Sequence, residues 1–216
     1  MDYELARRNM VEGQIRTNKV TNAALIQAME TVPRERFLPA ERAHAAYVDE
    51  DQPLAPGRFL MEPMVFARLV QLAAPRPGDR ALVVGSGSGY GAAVLAQLVR
   101  SVVALEGDPS LAARGREQFA RLVVDRATQV DGPLTDGGPH RAPYDVILIE
   151  GAVEFVPPAL LDQLAEGGRL VAVIATDGVG QATLFDKRND VLSHRGVFDA
   201  SVPFLPGFRR KREFAL

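Results

Sequence analysis

Beyond residue 80 the apolar positions fall into short, nearly unbroken runs, and between them lie stretches with helical spacing. The runs are Ala81–Val84, Ser101–Leu105, Ala127–Val130, Asp145–Ile149 and Arg169–Ile174. The second, fourth and fifth are almost continuous Val, Ile and Leu, the pattern of strands whose two faces are both covered by helices. Helical runs at Tyr90–Leu98, Ser110–Leu122 and Pro158–Leu164 separate them, and the Gly167-Gly168 pair reads as a helix stop before the fifth strand. Thr183–Phe185 and Gly196–Phe204 are expected to close the sheet as an antiparallel pair. Before residue 80 the pattern differs. A helix is expected from Tyr3 to about Ile15, and a second over Asn22–Thr31, capped by Thr21 and stopped at Val32-Pro33. Residues 37–60 carry Pro39, Pro53 and Pro56 and read as irregular. A third helix fits Pro63–Ala73, with Met64, Leu69, Val70 and Leu72 as its apolar face. The alternation predicts an α/β fold, a doubly wound and mostly parallel sheet with a helical N-terminal cap. Residues 1–75 form the cap and 76–216 the core, together one compact unit.

The first strand of that core runs directly into Gly85-Ser86-Gly87-Ser88-Gly89. A chain that bends sharply after a strand and lets a ligand press on bare backbone needs glycine. A dinucleotide fingerprint would place its third glycine one residue later, where Tyr90 stands. The second strand ends in Glu106-Gly107, and a carboxylate at that strand end can accept both hydroxyls of a ribose. A flexible Gly/Ser loop and a surface acid are the plainer readings of each feature alone. The glycine spacing and its surroundings favour S-adenosyl-L-methionine over a nicotinamide cofactor, with Gly85, Ser86, Gly87, Ser88, Gly89, Glu106 and Gly107 as its contacts.

Composition narrows the class. A chain of 216 residues, 47% hydrophobic and 24% charged, suits one soluble globular domain. A net charge of −2 gives no broad attraction to nucleic acid or membrane, so neither is expected as a partner. The basic run Arg209–Arg212 reads as a solvated tail. The absence of cysteine excludes disulfides, thiolate catalysis and cysteine-ligated metal, and no metal site is expected. The N-terminus lacks an apolar signal core and no window is long enough to span a membrane, so the expected location is cytoplasmic. His44, His140 and His194 are scattered and form no catalytic set.

Several segments resemble the protein-L-isoaspartate O-methyltransferases. They are Met10–Ile15 (MVEGQI), Ala28–Phe37 (AMETVPRERF), Ala46–Asp49, the Gly85–Tyr90 loop, Asp131-Gly132, Pro157–Val173 and Phe204-Leu-Pro206. The resemblance covers nearly the whole chain. It implies a methyltransferase with the S-adenosylmethionine fold that esterifies the free α-carboxylate of isoaspartyl residues in damaged proteins or peptides, a repair reaction. It implies Glu106 on the ribose and Asp131 and Gly132 at the adenine. It also implies an acceptor site built from the loop before the third helix, Phe59, Met61, Pro63 and Met64, together with Phe204 and Pro206. A carboxylate is ionised near neutrality, so its attack on a methyl group needs no general base.

Two positions depart from that family. Gly57-Arg-Phe-Leu-Met-Glu-Pro63 puts Met61 where the family carries a serine or threonine hydroxyl, and a thioether donates no hydrogen bond. Arg58 is a candidate replacement contact to a carboxylate. Val83 stands where methyltransferases commonly carry the acid that holds the cofactor's methionine end, with Glu62 and Glu150 as candidate substitutes. Amides at the start of the third helix are expected to face an anionic acceptor. Methyl transfer to a different acceptor, and cofactor binding without catalysis, remain alternative readings.

Overall fold

The computed structural model describes residues 1–176 and 179–210. Lys211 and Arg212 of the basic run lie outside the described residues. Seven strands form the main sheet in the order β5-β4-β3-β6-β7-β8-β9. They are β3 (Arg80–Val84), β4 (Ser101–Glu106), β5 (Ala127–Asp131), β6 (Tyr144–Val153), β7 (Leu164–Ile174), β8 (Gly180–Arg188) and β9 (Val191–Ala200). The first five run parallel and the last two are antiparallel. Helices α4 (Tyr90–Leu95), α5 (Pro109–Arg121) and α6 (Pro158–Leu161) connect β3 to β4, β4 to β5 and β6 to β7, and the 3₁₀ turns Leu134–Asp136 and Pro139–Arg141 lead from β5 to β6. β3 lies between β4 and β6, so the chain leaves β3 where the strand order reverses. In open α/β sheets the crevice at that point, beyond the strand carboxyl ends, receives ligands.

Local signals explain most boundaries. Helix α5 starts at Asp108, whose Oδ1 accepts from the Ser110 and Leu111 amides at 2.8 and 3.2 Å, and Pro109 follows at its first position. Helix α1 (Tyr3–Met10) is capped by Asp2, and it continues through a wider π-helical turn over Val11–Ile15. Helix α2 (Ala23–Thr31) is capped by Asn22, which accepts from Leu25 N at 3.1 Å. The cap is therefore not Thr21: the asparagine, one residue nearer the helix, reaches the orphan amide.

Three other expectations are corrected. Residues 37–60 are not wholly irregular: β1 (Gln52–Ala55) and β2 (Arg58–Leu60) pair as a hairpin around Gly57, and Arg34–Phe37 and Ala40–Ala45 are 3₁₀ turns. Gly167 and Gly168 lie inside β7, where the register with β6 shifts between Tyr144 and Val146. They shape a bulge rather than end a helix, and α6 closes at Leu161. The antiparallel pair is longer than expected, and Phe204 joins the sheet only through a single bridge to Ala152.

Helix α3 (Pro63–Ala73) buries Val65, Phe66, Leu69 and Val70, with Met64 and Leu72 only partly covered. Cap and sheet share one hydrophobic cluster. Met10, Val11, Ile15, Leu25 and Met29 pack with Val83, Val146, Leu148 and Val171. Arg34, wholly buried, fastens the cap from within. Its Nε donates to Ala46 O at 2.7 Å, its Nη2 donates to Met61 O at 2.6 Å, and its guanidinium lies 4.8 Å from the Tyr90 ring centre.

Candidate functional site

The three loop glycines have φ of +76°, +56° and +98° at Gly85, Gly87 and Gly89, a region that side chains avoid. Space is equally restrictive there. A Cβ on Gly85 would sit 2.7 Å from Leu205 Cδ1, and one on Gly87 would sit 2.7 Å from Leu54 Cδ1. Ser86 and Ser88 turn away from the crevice. Ser86 Oγ accepts from Gln129 Nε2 at 3.1 Å, and Ser88 Oγ donates to Phe37 O. The serines hold the loop while its backbone faces the ligand side.

Glu106 ends β4 within this crevice, almost fully buried. Its Oε2 accepts from Gly87 N and from Arg58 Nη2, each at 2.7 Å. Its Oε1 accepts from Gly107 N at 2.9 Å and Asp108 N at 3.0 Å. Four donors fill a carboxylate's capacity. Arg58 also donates to Gly85 O at 3.0 Å, so its guanidinium bridges the Glu106 carboxylate and the start of the glycine loop. The crevice beyond it, about 540 Å³, is lined by Glu106, Gly107, Asp108, Pro133, Leu134 and Pro206 among others. Volume, glycine backbone and strand-end carboxylate suit an adenosine.

On the other side of Arg58 is a small cavity of about 10 Å³, bounded by Asp51, Phe59, Met61, Glu150, Phe204 and Leu205. Arg58 lines both spaces and forms the partition between them. Leu205 N donates to Ala152 O at 2.8 Å and Ala152 N to Pro203 O at 2.9 Å, which fixes this C-terminal segment over the end of β6.

The structure redistributes several candidate residues. Phe59, Met61 and Phe204 line the small cavity together. Pro63 and Met64 do not line it, and Pro206 faces the larger crevice. Asp131 points outward to Arg116, with both bonds at 2.8 Å, and with Gly132 it lines a separate depression. The start of α3 does not face an anionic acceptor with free amides. Glu62 N donates to Asp51 Oδ1 and Met64 N to Asp49 Oδ1, both at 3.0 Å, so aspartates of the same cap already take these groups. Burial, with Asp51 and Asp49 beside it, raises the Glu62 carboxyl to about 7. Leu54, Asp51 and Leu205 were missed. Leu54 and Asp51 belong to the hairpin region that reads as irregular, whereas Leu205 sits inside the recognisable Phe204–Pro206 segment.

Burial raises Glu150 to about 8, against the pull of Arg58 and Arg34. An acid whose folded pKa is raised binds protons more tightly in the folded state than in the unfolded chain. Stability is therefore expected to fall as pH rises from 4.5, the ordinary value, to about 8. The loss from Glu150 is on the order of several kcal/mol. Urea unfolding between these limits should show it, and Glu150→Gln should remove that part of the slope. Half-exposed Glu62 adds a smaller slope of the same sign that the variant keeps. An identical profile in the variant would take Glu150 out of the balance.

Comparison with known proteins adds to this geometry. Residues 5–211 match the family model described as protein-L-isoaspartate(D-aspartate) O-methyltransferase (PCMT). Protein-L-isoaspartate O-methyltransferase 2 of Anaeromyxobacter sp. (strain Fw109-5) is 42% identical over 168 residues, 78% of this chain and 69% of that one. A solved protein-L-isoaspartate O-methyltransferase structure superposes with a TM-score of 0.81 at 25% identity, covering 93% of this chain and 66% of that one. A Plasmodium falciparum chain described as a beta-aspartate methyltransferase, crystallised with S-adenosyl-L-homocysteine, has a TM-score of 0.78 at 22% identity. That match covers 92% of this chain and 97% of the other, and it bears on the fold alone.

Proposed function

The chain belongs to the protein-L-isoaspartate(D-aspartate) O-methyltransferase family, and from that premise we propose how its own residues carry out the family reaction. It transfers a methyl group from S-adenosyl-L-methionine to the carboxylate of isoaspartyl residues in damaged proteins. The observation that supports the reading on this chain is the pair of spaces that Arg58 separates, a crevice of about 540 Å³ with room for an adenosine and, at the acceptor loop, a cavity of about 10 Å³ that has room for a carboxylate only when Arg58 moves.

When bound, the cofactor supplies an activated methyl on sulfur. Everything else is positioning. Glu106 has room for ribose hydroxyls only once Arg58 lets go of it, and the released guanidinium already forms a wall of the acceptor cavity. A guanidinium matches a carboxylate's geometry and charge, so Arg58 is the group that receives the acceptor. Phe59, Phe204 and Leu205 exclude water from the reacting pair, which strengthens that attraction. No base is required, because the acceptor arrives ionised. Gly85–Gly89, Glu106 and Gly107 hold the cofactor. Asp131 and Gly132 serve the adenine at the rim, with Asp131 giving up Arg116. Among the described residues no helix is long and apolar enough to cross a membrane. We place the enzyme in the cytoplasm, acting on protein and peptide substrates and not on nucleic acid or membrane.

Purified protein incubated with methyl-labelled cofactor and paired peptides, Asp against isoAsp, tests the reading. Base-labile label on the isoAsp peptide alone is expected. Cofactor binding with no transfer to any isoAsp peptide would overturn the proposal.

A further inference from the structure

Glu150, one of the two candidate substitutes for the acid missing at Val83, is a buried carboxyl. It lies on β6 one residue past the position paired with Val84, and so stands beside Gly85 at the start of the glycine loop. Its Oε1 rests against Gly91 in the first turn of α4, where a Cβ on the glycine would lie 1.7 Å from that oxygen. Only a residue without a side chain leaves room for this carboxyl. The same oxygen is buried and has no hydrogen-bond partner, although the residue borders the small cavity. A buried carboxyl with an unmet acceptor is costly, and a donor of positive charge reverses the cost.

The order of the strands says which donor fits. Along the sheet, Asp131 ends β5, Glu106 ends β4, the glycine loop leaves β3, and Glu150 lies at the carboxyl end of β6. A ligand with its adenosine over β5 and β4 and its sulfur over β3 brings its amino-acid end to β6. That end carries an ammonium with three N–H donors, whereas sulfonium has none. Val83, on the neighbouring strand, is fully buried and offers no charge.

We propose that the Glu150 carboxyl is the recognition group for the α-ammonium at the amino-acid end of the cofactor. The proposal rests on the cofactor reading above. The charged and titratable groups around Glu150 come from every side of it. Arg58 of the hairpin and Arg34 of the cap favour its ionised form, while Glu106 at the end of β4 opposes it. Tyr90 of α4 is electrostatically coupled to it, and Asp51 borders the same cavity. In the free protein burial keeps the carboxyl protonated up to about 8. At pH 7 roughly nine-tenths of the molecules then carry that proton, and an arriving ammonium expels it. Binding of the cofactor's amino-acid end should therefore release a proton.

Calorimetric titration in two buffers of different ionisation enthalpy counts the protons released. S-Adenosyl-L-homocysteine retains the ammonium, and 5′-methylthioadenosine lacks the whole amino-acid end. At pH 7 the first is expected to release close to one proton from the wild-type protein and the second close to none. In Glu150→Gln the proton should disappear and S-adenosyl-L-homocysteine should bind about ten-fold more weakly or worse. Binding of 5′-methylthioadenosine within about two-fold of wild type would show that the variant's fold and adenosine site are intact. Equal proton counts for the two ligands on wild-type protein would overturn the proposal without any variant. So would an unchanged proton count in Glu150→Gln. If neither ligand binds the wild-type protein, it is the cofactor reading itself that fails.

Discussion

Glu106→Ala is expected to weaken S-adenosyl-L-homocysteine binding by at least about 100-fold and to destabilise the protein by about 3–5 kcal/mol. The two effects have different sources. Binding is lost because Glu106 is the strand-end carboxylate that lines the crevice proposed for the adenosine. Stability is lost because Arg58, whose side chain is only 6% exposed, is left without its partner, and the Gly87, Gly107 and Asp108 amides lose their acceptor. Breaking a buried pair from one side is worse than removing both members. Adding Arg58→Met should therefore recover the part of the stability lost with the unpaired guanidinium, leave the part lost at the three amides, and recover none of the binding. Calorimetry with the ligand, beside chemical unfolding of the single and double variants, separates the effects. An affinity in Glu106→Ala within a few-fold of wild type would remove this residue from the site.

Met61→Ser is expected to raise methylation of an isoAsp peptide about ten-fold while lowering stability by about 2–3 kcal/mol. The gain comes from a hydroxyl able to donate to the acceptor carboxylate from the wall of the small cavity, where the thioether now stands. The loss comes from the same side chain's packing, since Met61 is 5% exposed and belongs to the core shared by cap and sheet. The hold on its backbone survives, because Arg34 bonds the Met61 carbonyl rather than the side chain. Ligand affinity should change little. A flat methylation response, in variant protein that still binds S-adenosyl-L-homocysteine, would count against the isoaspartyl carboxylate as the acceptor and favour a different one.

The parallel core could be read from sequence because its signals are local and repeated. Unbroken Val, Ile and Leu runs mark strands covered on both faces, and Pro63 marks a helix start. The β1–β2 hairpin could not be read this way. Pro53, Pro56 and Gly57 look like loop residues whether or not their flanks pair, and only four- and three-residue strands result. The glycine loop and Glu106 were visible because their chemistry lies in a motif of fixed spacing. Arg58 was visible as a charged residue in an unusual place, yet its partner is 48 residues away, and no local pattern encodes that pairing. The outward turn of Asp131 depends in the same way on Arg116, which lies on the exposed side of α5. Tertiary partners decide such cases, and a reading by periodicity does not see them.

The core shared by cap and sheet bears on how the molecule is made. A ribosome delivers Met10, Ile15, Leu25 and Met29 first, and the strands that cover them, carrying Val146, Leu148 and Val171, emerge more than a hundred residues later. At roughly 5–20 residues per second that interval is on the order of ten seconds. For that time the cap can pack only on itself, on α3 and on the first part of the sheet, Val83 included. The segment that later borders the small cavity thus completes its burial only when β6 and β7 arrive.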